Sequence, residues 1–180
     1  MADAHAGSTS NAKQFLVQET LDDGTAVTIR AVRPDDKARI VKAFLALEPH
    51  SIYARFFYAK TELSEQELRQ LTEIDYVSAV VLLATIGSPS QETVIGLGRY
   101  AASGSSAEVA FVVEEDYAGR GIASRLLQHL TQIARENGVA KFEADVLGDN
   151  AAMLAVFRHS GLTVTTTTPS DGVTHVTLLI

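Results

Sequence analysis

The stretch Val112-Val113-Glu114-Glu115-Asp116-Tyr117-Ala118-Gly119-Arg120-Gly121-Ile122-Ala123-Ser124 joins a run of apolar residues to the start of an amphipathic segment. Residues 107–113 are almost all apolar and predict a strand, and from Ile122 onward apolar residues recur at the spacing of a helix. Glycine lets a backbone approach a ligand closely, and a helix start presents free N–H groups with a partial positive charge. This order of strand, glycine loop and helix predicts an anion site suited to phosphate.

The rest of the sequence predicts one mixed domain around that loop. Residues 79–86 form an almost unbroken apolar run, which is typical of a central strand buried on both faces. Further strands are expected at residues 14–20, 25–32, 93–101, 107–113, 142–147, 163–168 and 173–180, and helices from Pro34, Ser64, Ile122 and Asn150. Residues 107–147 read as a strand–helix–strand crossover. The predicted fold class is α+β (α/β), a single domain with a mixed, mostly antiparallel central sheet flanked by helices.

Composition excludes several classes of protein. The 180 residues suit one domain, expected over residues 13–180, and the small, polar residues 1–12 are expected to form a disordered leader. The chain has no cysteine, so it has neither disulfides nor a zinc–thiolate framework, and a cytoplasmic location is expected. A net charge of −7 predicts no nucleic-acid partner, and no apolar run reaches the roughly 20 residues of a membrane span. No metal-ligand spacing appears either.

The glycine loop by itself leaves three interpretations open. The simplest is a tight strand-to-helix turn that binds nothing. The second is a dinucleotide-binding turn, with Gly119 and Gly121 as its first two glycines and Glu143 or Asp145 as the distant acid. Ser124 stands where that motif needs its third glycine, which disfavours this interpretation. The third is the phosphate loop of an acyltransferase.

The third interpretation rests on a resemblance to the GNAT acyltransferase superfamily. The family pattern is Gln/Arg-x-x-Gly-x-Gly/Ala between a strand and a helix. One alignment places Asp116, Gly119 and Gly121 on its three defined positions, and another places Ala118, Gly121 and Ala123 there. Neither alignment supplies the usual Gln or Arg. A second block agrees, because Asn150, Phe157 and Gly161-Leu162 have the family's spacing.

The resemblance covers residues 94–162 and implies a GNAT-like fold, acetyl-CoA as cosubstrate and a primary amine as acceptor. Residues 30–36, 51–57, 96–100 and 107–111 look more particularly like Pat-type protein lysine acetyltransferases, so a protein lysine is the first expectation for the acceptor. The implied strand of the site parts from its neighbour and pairs with the pantetheine arm. The implied cofactor-binding residues are Phe111, Val112, Val113, Ala118, Gly119, Arg120, Gly121, Ile122, Ala123, Ser124, Asn150 and Phe157. A homodimer through an exposed sheet edge is also conceivable.

Glu108 is the candidate general base. It is the only charged residue among residues 107–113, and strand alternation places it on one face with Ala110 and Val112. Burial on that face is expected to raise its pKa, which would suit proton acceptance, and the resemblance assigns a glutamate at this position the same role. The alternative is a strand-end glutamate that faces water.

The chemistry expected from these residues is direct attack by the amine on the thioester, since a chain without cysteine forms no cysteinyl acyl-enzyme. Phe157 stands where many family members carry a tyrosine acid, and phenylalanine has no proton to give. Tyr53 and Arg55 are expected on the acceptor side. Two alternatives stay open: a non-catalytic acyl-CoA-binding module, and an acetyltransferase of a small-molecule amine.

Overall fold

The structure is a computed structural model that describes residues 11–180. Most of the expected leader, residues 1–10, lies outside the described residues. Its last two residues belong to the folded part, because the Asn11 side chain caps a short 3-10 turn, Ala12–Gln14, and Ala12 is buried. The domain therefore begins slightly earlier than the predicted boundary at residue 13.

The described chain contains eight strands and five α-helices. All the strands and four of the helices lie close to the positions predicted from the sequence, and the helix Pro49–Phe56 is additional. The strands are β1 (Leu16–Thr20), β2 (Ala26–Ala31), β3 (Ala79–Ile86), β4 (Thr93–Ser103), β5 (Ser106–Val113), β6 (Lys141–Leu147), β7 (Thr163–Thr166) and β8 (Val173–Leu179). The helices are α1 (Lys37–Ala46), α2 (Pro49–Phe56), α3 (Glu65–Thr72), α4 (Ile122–Glu136) and α5 (Ala151–Arg158). None of these helices is long and apolar enough to cross a membrane.

All eight strands form one sheet, in the order β1-β2-β3-β4-β5-β6-β8-β7. Every neighbouring pair is antiparallel except β5 and β6, which are parallel and are joined through α4. This arrangement confirms the predicted mixed, mostly antiparallel sheet and the crossover over residues 107–147. It also contains a second crossover that was not predicted, in which the chain runs from β6 through α5 to β7, on the far side of β8. The parallel pair is short, since only Ser106, Ala107 and Glu108 of β5 pair with β6. Beyond Glu108 the two strands part, and a gap opens in the middle of the sheet.

Helices cover both faces of the sheet. One face carries α4 and α5, and its core includes Leu126, Leu130 and Phe157. The other face packs on α1 and α3 through a second cluster that contains Ile40 and Leu68. Glycines on β4 bring α4 close, because a Cβ atom at Gly96 would lie 2.8 Å from Ile122 Cγ2. This close approach holds the start of α4 beside the end of β5.

A buried ion network fixes the start of α1 against the sheet. The guanidinium group of Arg30 on β2 donates to both carboxylate oxygens of Asp36 at 2.8 Å and to those of Glu92 at 3.0 and 2.7 Å. The Arg30 and Asp36 side chains are 3% and 0% exposed. Burial alone would raise the pKa of Asp36, but the hydrogen bonds from Arg30 and from the Arg33 N–H, together with the charges of the two arginines, lower it overall.

Candidate active site

The loop after β5 presents a row of unused backbone donors. It makes a 3-10 turn, Glu115–Tyr117, in which the N–H of Ala118 donates to Glu115 O at 3.1 Å. Within the described part of the chain, no N–H from Gly119 to Ser124 has a backbone acceptor. The last three of these residues, Ile122, Ala123 and Ser124, form the first turn of the 15-residue helix α4, which carries no acidic side chain there. Such donors at a helix start suit the phosphate oxygens of a ligand.

The two loop glycines are required by the backbone itself. Gly119 and Gly121 have φ values of +72° and +86°, a region in which a Cβ atom is strained. A Cβ on Gly119 would meet nothing within 4 Å, whereas one on Gly121 would lie 2.2 Å from Arg125 Nη1 and 2.9 Å from Asp22 Oδ2. Gly121 therefore gives room to the contact between α4 and the turn that joins β1 to β2.

Arg120, one of the cofactor-binding residues that the resemblance implies, directs its side chain away from the phosphate site. Its Nη1 donates to Asp23 Oδ2 and its Nη2 to Asp116 O, both at 2.6 Å. Its guanidinium group also lies 5.0 Å from the ring centroid of Tyr117. The side chain is absent from the lining of the cleft described below. Only the backbone N–H of Arg120 therefore remains as a candidate ligand for phosphate.

The gap between β5 and β6 exposes alternate backbone groups of β5. The N–H of Glu114 donates to Ile95 O of β4 at 2.9 Å, and alternate residues of an antiparallel strand face the same partner. The N–H groups of Val112 and Ala110 therefore face β4, while those of Phe111 and Val113 face the gap. Of the three predicted β5 residues, Phe111 and Val113 direct their backbone N–H groups into the gap, and Val112 lines the cleft.

The gap leads into a cleft of about 740 Å³ between the loop, β5 and α5. Every predicted cofactor residue except Arg120 lines this cleft. The Asn150 side chain accepts a hydrogen bond from Met153 N at 3.1 Å and so caps α5, which leaves its amide NH₂ group available as a donor. Phe157 is 1% exposed and packs edge-on against Phe111, with ring centroids 6.1 Å apart. Both predicted roles of Asn150, cap and cleft residue, are thus compatible.

Glu108 lies where this cleft meets a second cavity. The second cavity, of about 330 Å³, is enclosed by α1, α2, α3 and the β4–β5 face of the sheet, and both cavities are lined by Arg55, Glu108 and Val112. The prediction that Glu108 is buried is wrong, because its side chain is exposed. Its strand position follows the predicted alternation, but α2 leaves the junction of the two cavities open and the carboxylate meets solvent.

The second cavity is largely apolar, with charged groups that the sequence did not single out. Phe44, Leu63 and Leu97 contribute apolar walls, and Arg99 and Glu114 line it as well. Burial raises the pKa of Glu114. Of the two residues expected on the acceptor side, Arg55 lines the cavity, whereas Tyr53 is exposed and lines neither cavity. Strand alternation puts Arg99 on the face of Glu108, but only the observed β4–β5 register reveals that they are neighbours.

The model of the acetyltransferase (GNAT) family matches residues 42–162. The chain belongs to this family. Membership confirms the fold, the acetyltransferase activity and the acetyl-CoA cosubstrate that the sequence predicted. The unused N–H groups of the loop and the gap beside β5 fit such a ligand, because they offer donors to phosphate oxygens and to amide carbonyls.

Individual relatives agree with the family. Acetyltransferase PA5475 of Pseudomonas aeruginosa is 33% identical over 137 residues, which are 75% of this chain and 74% of that protein. Acetyltransferase Pat of Mycolicibacterium smegmatis is 35% identical over 136 residues, which are 74% of this chain and 40% of Pat. The solved GNAT domain of S. lividans PAT has a TM-score of 0.83 at 34% identity, over 92% of this chain and 97% of that domain. The chain thus spans less than half the length of the Mycolicibacterium relative.

Proposed function

We propose that this acetyltransferase modifies the ε-amine of a protein lysine and that Glu108 is the general base. One observation carries the proposal: Glu108 lines both the acetyl-CoA cleft and the apolar cavity on the other side of β5. A group at this junction can reach an amine that enters from the cavity side and a thioester that enters from the cleft. The likeness to Pat and to the PAT domain supports a lysine acceptor.

The proton of the acceptor is the first chemical problem. A lysine amine has a reference pKa of about 10.4 and is protonated near neutral pH. Acetyl-CoA supplies an acetyl thioester. The amine nitrogen bonds to the acetyl carbon, the carbon–sulfur bond breaks and CoA leaves as a thiolate. The ammonium group loses two protons in all, one to water after the new bond has formed and one, before the attack, to Glu108. Because the Glu108 side chain is exposed, it can pass that proton on to solvent.

The oxygen of the reacting carbonyl needs a donor as its negative charge grows. Phe111 and Val113 are the β5 residues whose N–H groups face the gap, and rigid backbone donors of this kind stabilise an oxyanion. Phe157 offers no proton to the leaving thiolate, so we propose that the thiolate takes its proton from water. An open junction at Glu108 also suits an acceptor that belongs to a large protein. Location in the cytoplasm and pairing of two copies stay predictions.

The test compares Glu108→Gln with Glu143→Gln in a thiol-release assay with acetyl-CoA and lysine peptides. Glu143 pairs with Glu108 across the β5–β6 ladder but lines neither cavity, so it is a matched control. Loss of a general base costs about 100-fold to 10,000-fold in rate, which we expect for Glu108→Gln alone. Both variants should keep the thermal stabilisation that acetyl-CoA gives the wild type.

Three outcomes would contradict the proposal. Equal rates for the two variants would remove Glu108 from the chemistry. Stabilisation by acetyl-CoA without thiol release on any peptide or small amine would instead favour the non-catalytic acyl-CoA-binding module, which the missing Gln or Arg of the loop and Phe157 both support. Thiol release on small amines alone would move the acceptor from proteins to metabolites.

A further inference from the structure

Two guanidinium groups beside Glu108 have no acidic partner among residues 11–180. The described salt bridges, defined by N–O distances up to 4.0 Å, involve neither Arg55 nor Arg99. Both are partly buried and line the acceptor cavity. A guanidinium that is removed from water loses solvation free energy, and a bound anion restores part of it. These two are therefore available to a ligand.

Their positions place them next to the reacting atoms. Arg99 lies opposite Ala110 on the β4–β5 ladder and Glu108 lies opposite Ala101, so Arg99 and Glu108 are diagonal neighbours on one face of the sheet. Arg55 approaches from α2, where its guanidinium group lies 4.9 Å from the ring centroid of Phe56. Burial lowers the pKa of Arg55, Arg99 lowers it further and Glu108 acts in the opposite direction. The three side chains therefore form one electrostatic group.

Two other carboxylates line the cavity, and neither forms a salt bridge with Arg55 or Arg99. Glu67 is held by Lys60 at 2.7 Å. The pKa of Glu114 responds to its own burial and to Asp116, Glu115 and Arg120, all in the loop after β5. The group around Glu108 thus has two positive charges and one negative charge. A protonated amine alone would be repelled there, whereas an acceptor that brings its own anion would balance the group.

We infer that the acceptor carries a carboxylate close to its reactive amine, and that Arg55 and Arg99 bind this carboxylate while Glu108 faces the amine. The inference rests on the proposed function, since it assigns the cavity to the acceptor. The planar fork of an arginine matches the two oxygens of a carboxylate. Two sources share this chemistry: an acidic residue adjacent to the target lysine in a protein, and the carboxylate of a small amino acid.

Binding without turnover tests the inference directly. Calorimetric titrations would use the full chain saturated with desulfo-CoA, which has no thioester to react. The peptide arm compares acetyl-Asp-Lys-amide with acetyl-Asn-Lys-amide, and the small-molecule arm compares 6-aminohexanoate with 6-aminohexanamide. We expect the carboxylate in at least one arm to bind about tenfold or more tighter, as a charge-assisted hydrogen bond implies. The arm that shows this preference identifies the source of the carboxylate.

Arginine variants test whether Arg55 and Arg99 cause the preference for carboxylate over carboxamide. Arg55→Gln and Arg99→Gln should each reduce it, and Arg99→Lys, which keeps the charge but loses the fork, should restore part of it. Arg135→Gln is the matched control, because Arg135 is exposed in the last turn of α4, away from both cavities. Thermal denaturation of each variant confirms that it is folded before its binding is compared.

Equal binding of carboxylate and carboxamide in both arms would overturn the inference, as would a preference that survives both Arg→Gln variants. Neither result depends on catalysis. If the wild type also releases thiol and Glu108→Gln does not, the proposed function stands while the carboxylate site falls. If the preference is present but Glu108→Gln is fully active, the carboxylate site stands and the general base is another group.

Discussion

Replacing the two loop glycines by alanine gives a pair of variants that separate backbone strain from contact. Both positions have positive φ values, so each alanine costs about 1–2 kcal/mol of stability in this conformation. For Gly119→Ala we expect no cost beyond this backbone strain, because the new Cβ meets open space. For Gly121→Ala the Cβ would lie 2.2 Å from Arg125 Nη1, and the guanidinium group must move away.

The displaced guanidinium group defines the extra cost. Arg125 donates to Gly121 O at 3.1 Å, to Thr20 O at 2.8 Å and to Asp22 Oδ1 at 3.1 Å. The pair with Asp22 contributes little, since that carboxylate is 64% exposed. The backbone hydrogen bonds contribute about 1 kcal/mol each. Because the guanidinium group is the end of a flexible side chain that can shift, about one of these hydrogen bonds is lost, and Gly121→Ala should lower the free energy of unfolding by about 1 kcal/mol more than Gly119→Ala does.

The same displacement should reach the cosubstrate site. Gly121 directly precedes α4, so a shifted backbone redirects the N–H groups of Ile122, Ala123 and Ser124. We expect the Kd of acetyl-CoA to rise about tenfold in Gly121→Ala, which corresponds to the loss of one or two hydrogen bonds, and to rise less in Gly119→Ala. Urea unfolding gives the stabilities and calorimetry gives the Kd values. Indistinguishable stability and affinity in the two variants would refute the argument from the Arg125 contact.

Three further predictions concern the network, the cap and the loop arginine. Asp36→Asn should lower the free energy of unfolding by about 3–5 kcal/mol, because it breaks a buried ion pair; urea unfolding at neutral pH would measure this, and a loss below about 1 kcal/mol would contradict it. The pKa of Asp36 is lowered in the folded state. The stabilisation by Asp36 is therefore complete above the unfolded pKa of about 3.9 and is lost as the pH falls below that value. The free energies of unfolding of wild type and variant, measured between pH 7 and pH 3, should accordingly converge at the acidic end. Asn150→Ala should lower the stability measured by thermal denaturation by about 1 kcal/mol and should weaken the binding of acetyl-CoA, whereas Asn150→Ser should keep the cap. Equal affinity for acetyl-CoA in the wild type and both variants would exclude a cofactor-binding role for Asn150. Arg120→Gln should leave the Kd of acetyl-CoA nearly unchanged, because its guanidinium group binds Asp23, and a tenfold rise, about 1.4 kcal/mol, would show that it reaches the ligand.

Local patterns were sufficient to predict most of the elements. The helix predicted from Ser64 is present and begins with a capping box of Ser64 and Glu67, which involves residues of one helical turn only. The strand, loop and helix around Gly119 and Gly121 were also predictable, since the positive φ values and the free N–H groups depend on the loop and the first turn of α4. The local sequence pattern thus predicted the free N–H groups that we propose as donors to phosphate.

What the sequence did not predict depends on contacts between distant elements. Alternation correctly placed Glu108 on a face of β5, but its exposure depends on how far α2 covers that face. Arg120 looked available within its loop, yet its partner Asp23 lies in a turn almost a hundred residues earlier. Arg99 and Arg55 are unremarkable in isolation, and only the β4–β5 register and the packing of α2 place them beside Glu108.

The short union of β5 and β6 has a mechanical consequence. Ser106, Ala107 and Glu108 provide the only ladder contacts between these strands, so the sheet consists of a five-stranded part and a three-stranded part that share a narrow hinge. A ligand that hydrogen-bonds to the open edge of β5 while contacting α5 would connect the two parts of the sheet and restrict motion about that hinge. Amide hydrogens of β8, which contributes no residue to the lining of the cleft, should then exchange more slowly when acetyl-CoA is bound. Binding in the cleft would in this way reduce the motion of the C-terminal strands without changing their conformation.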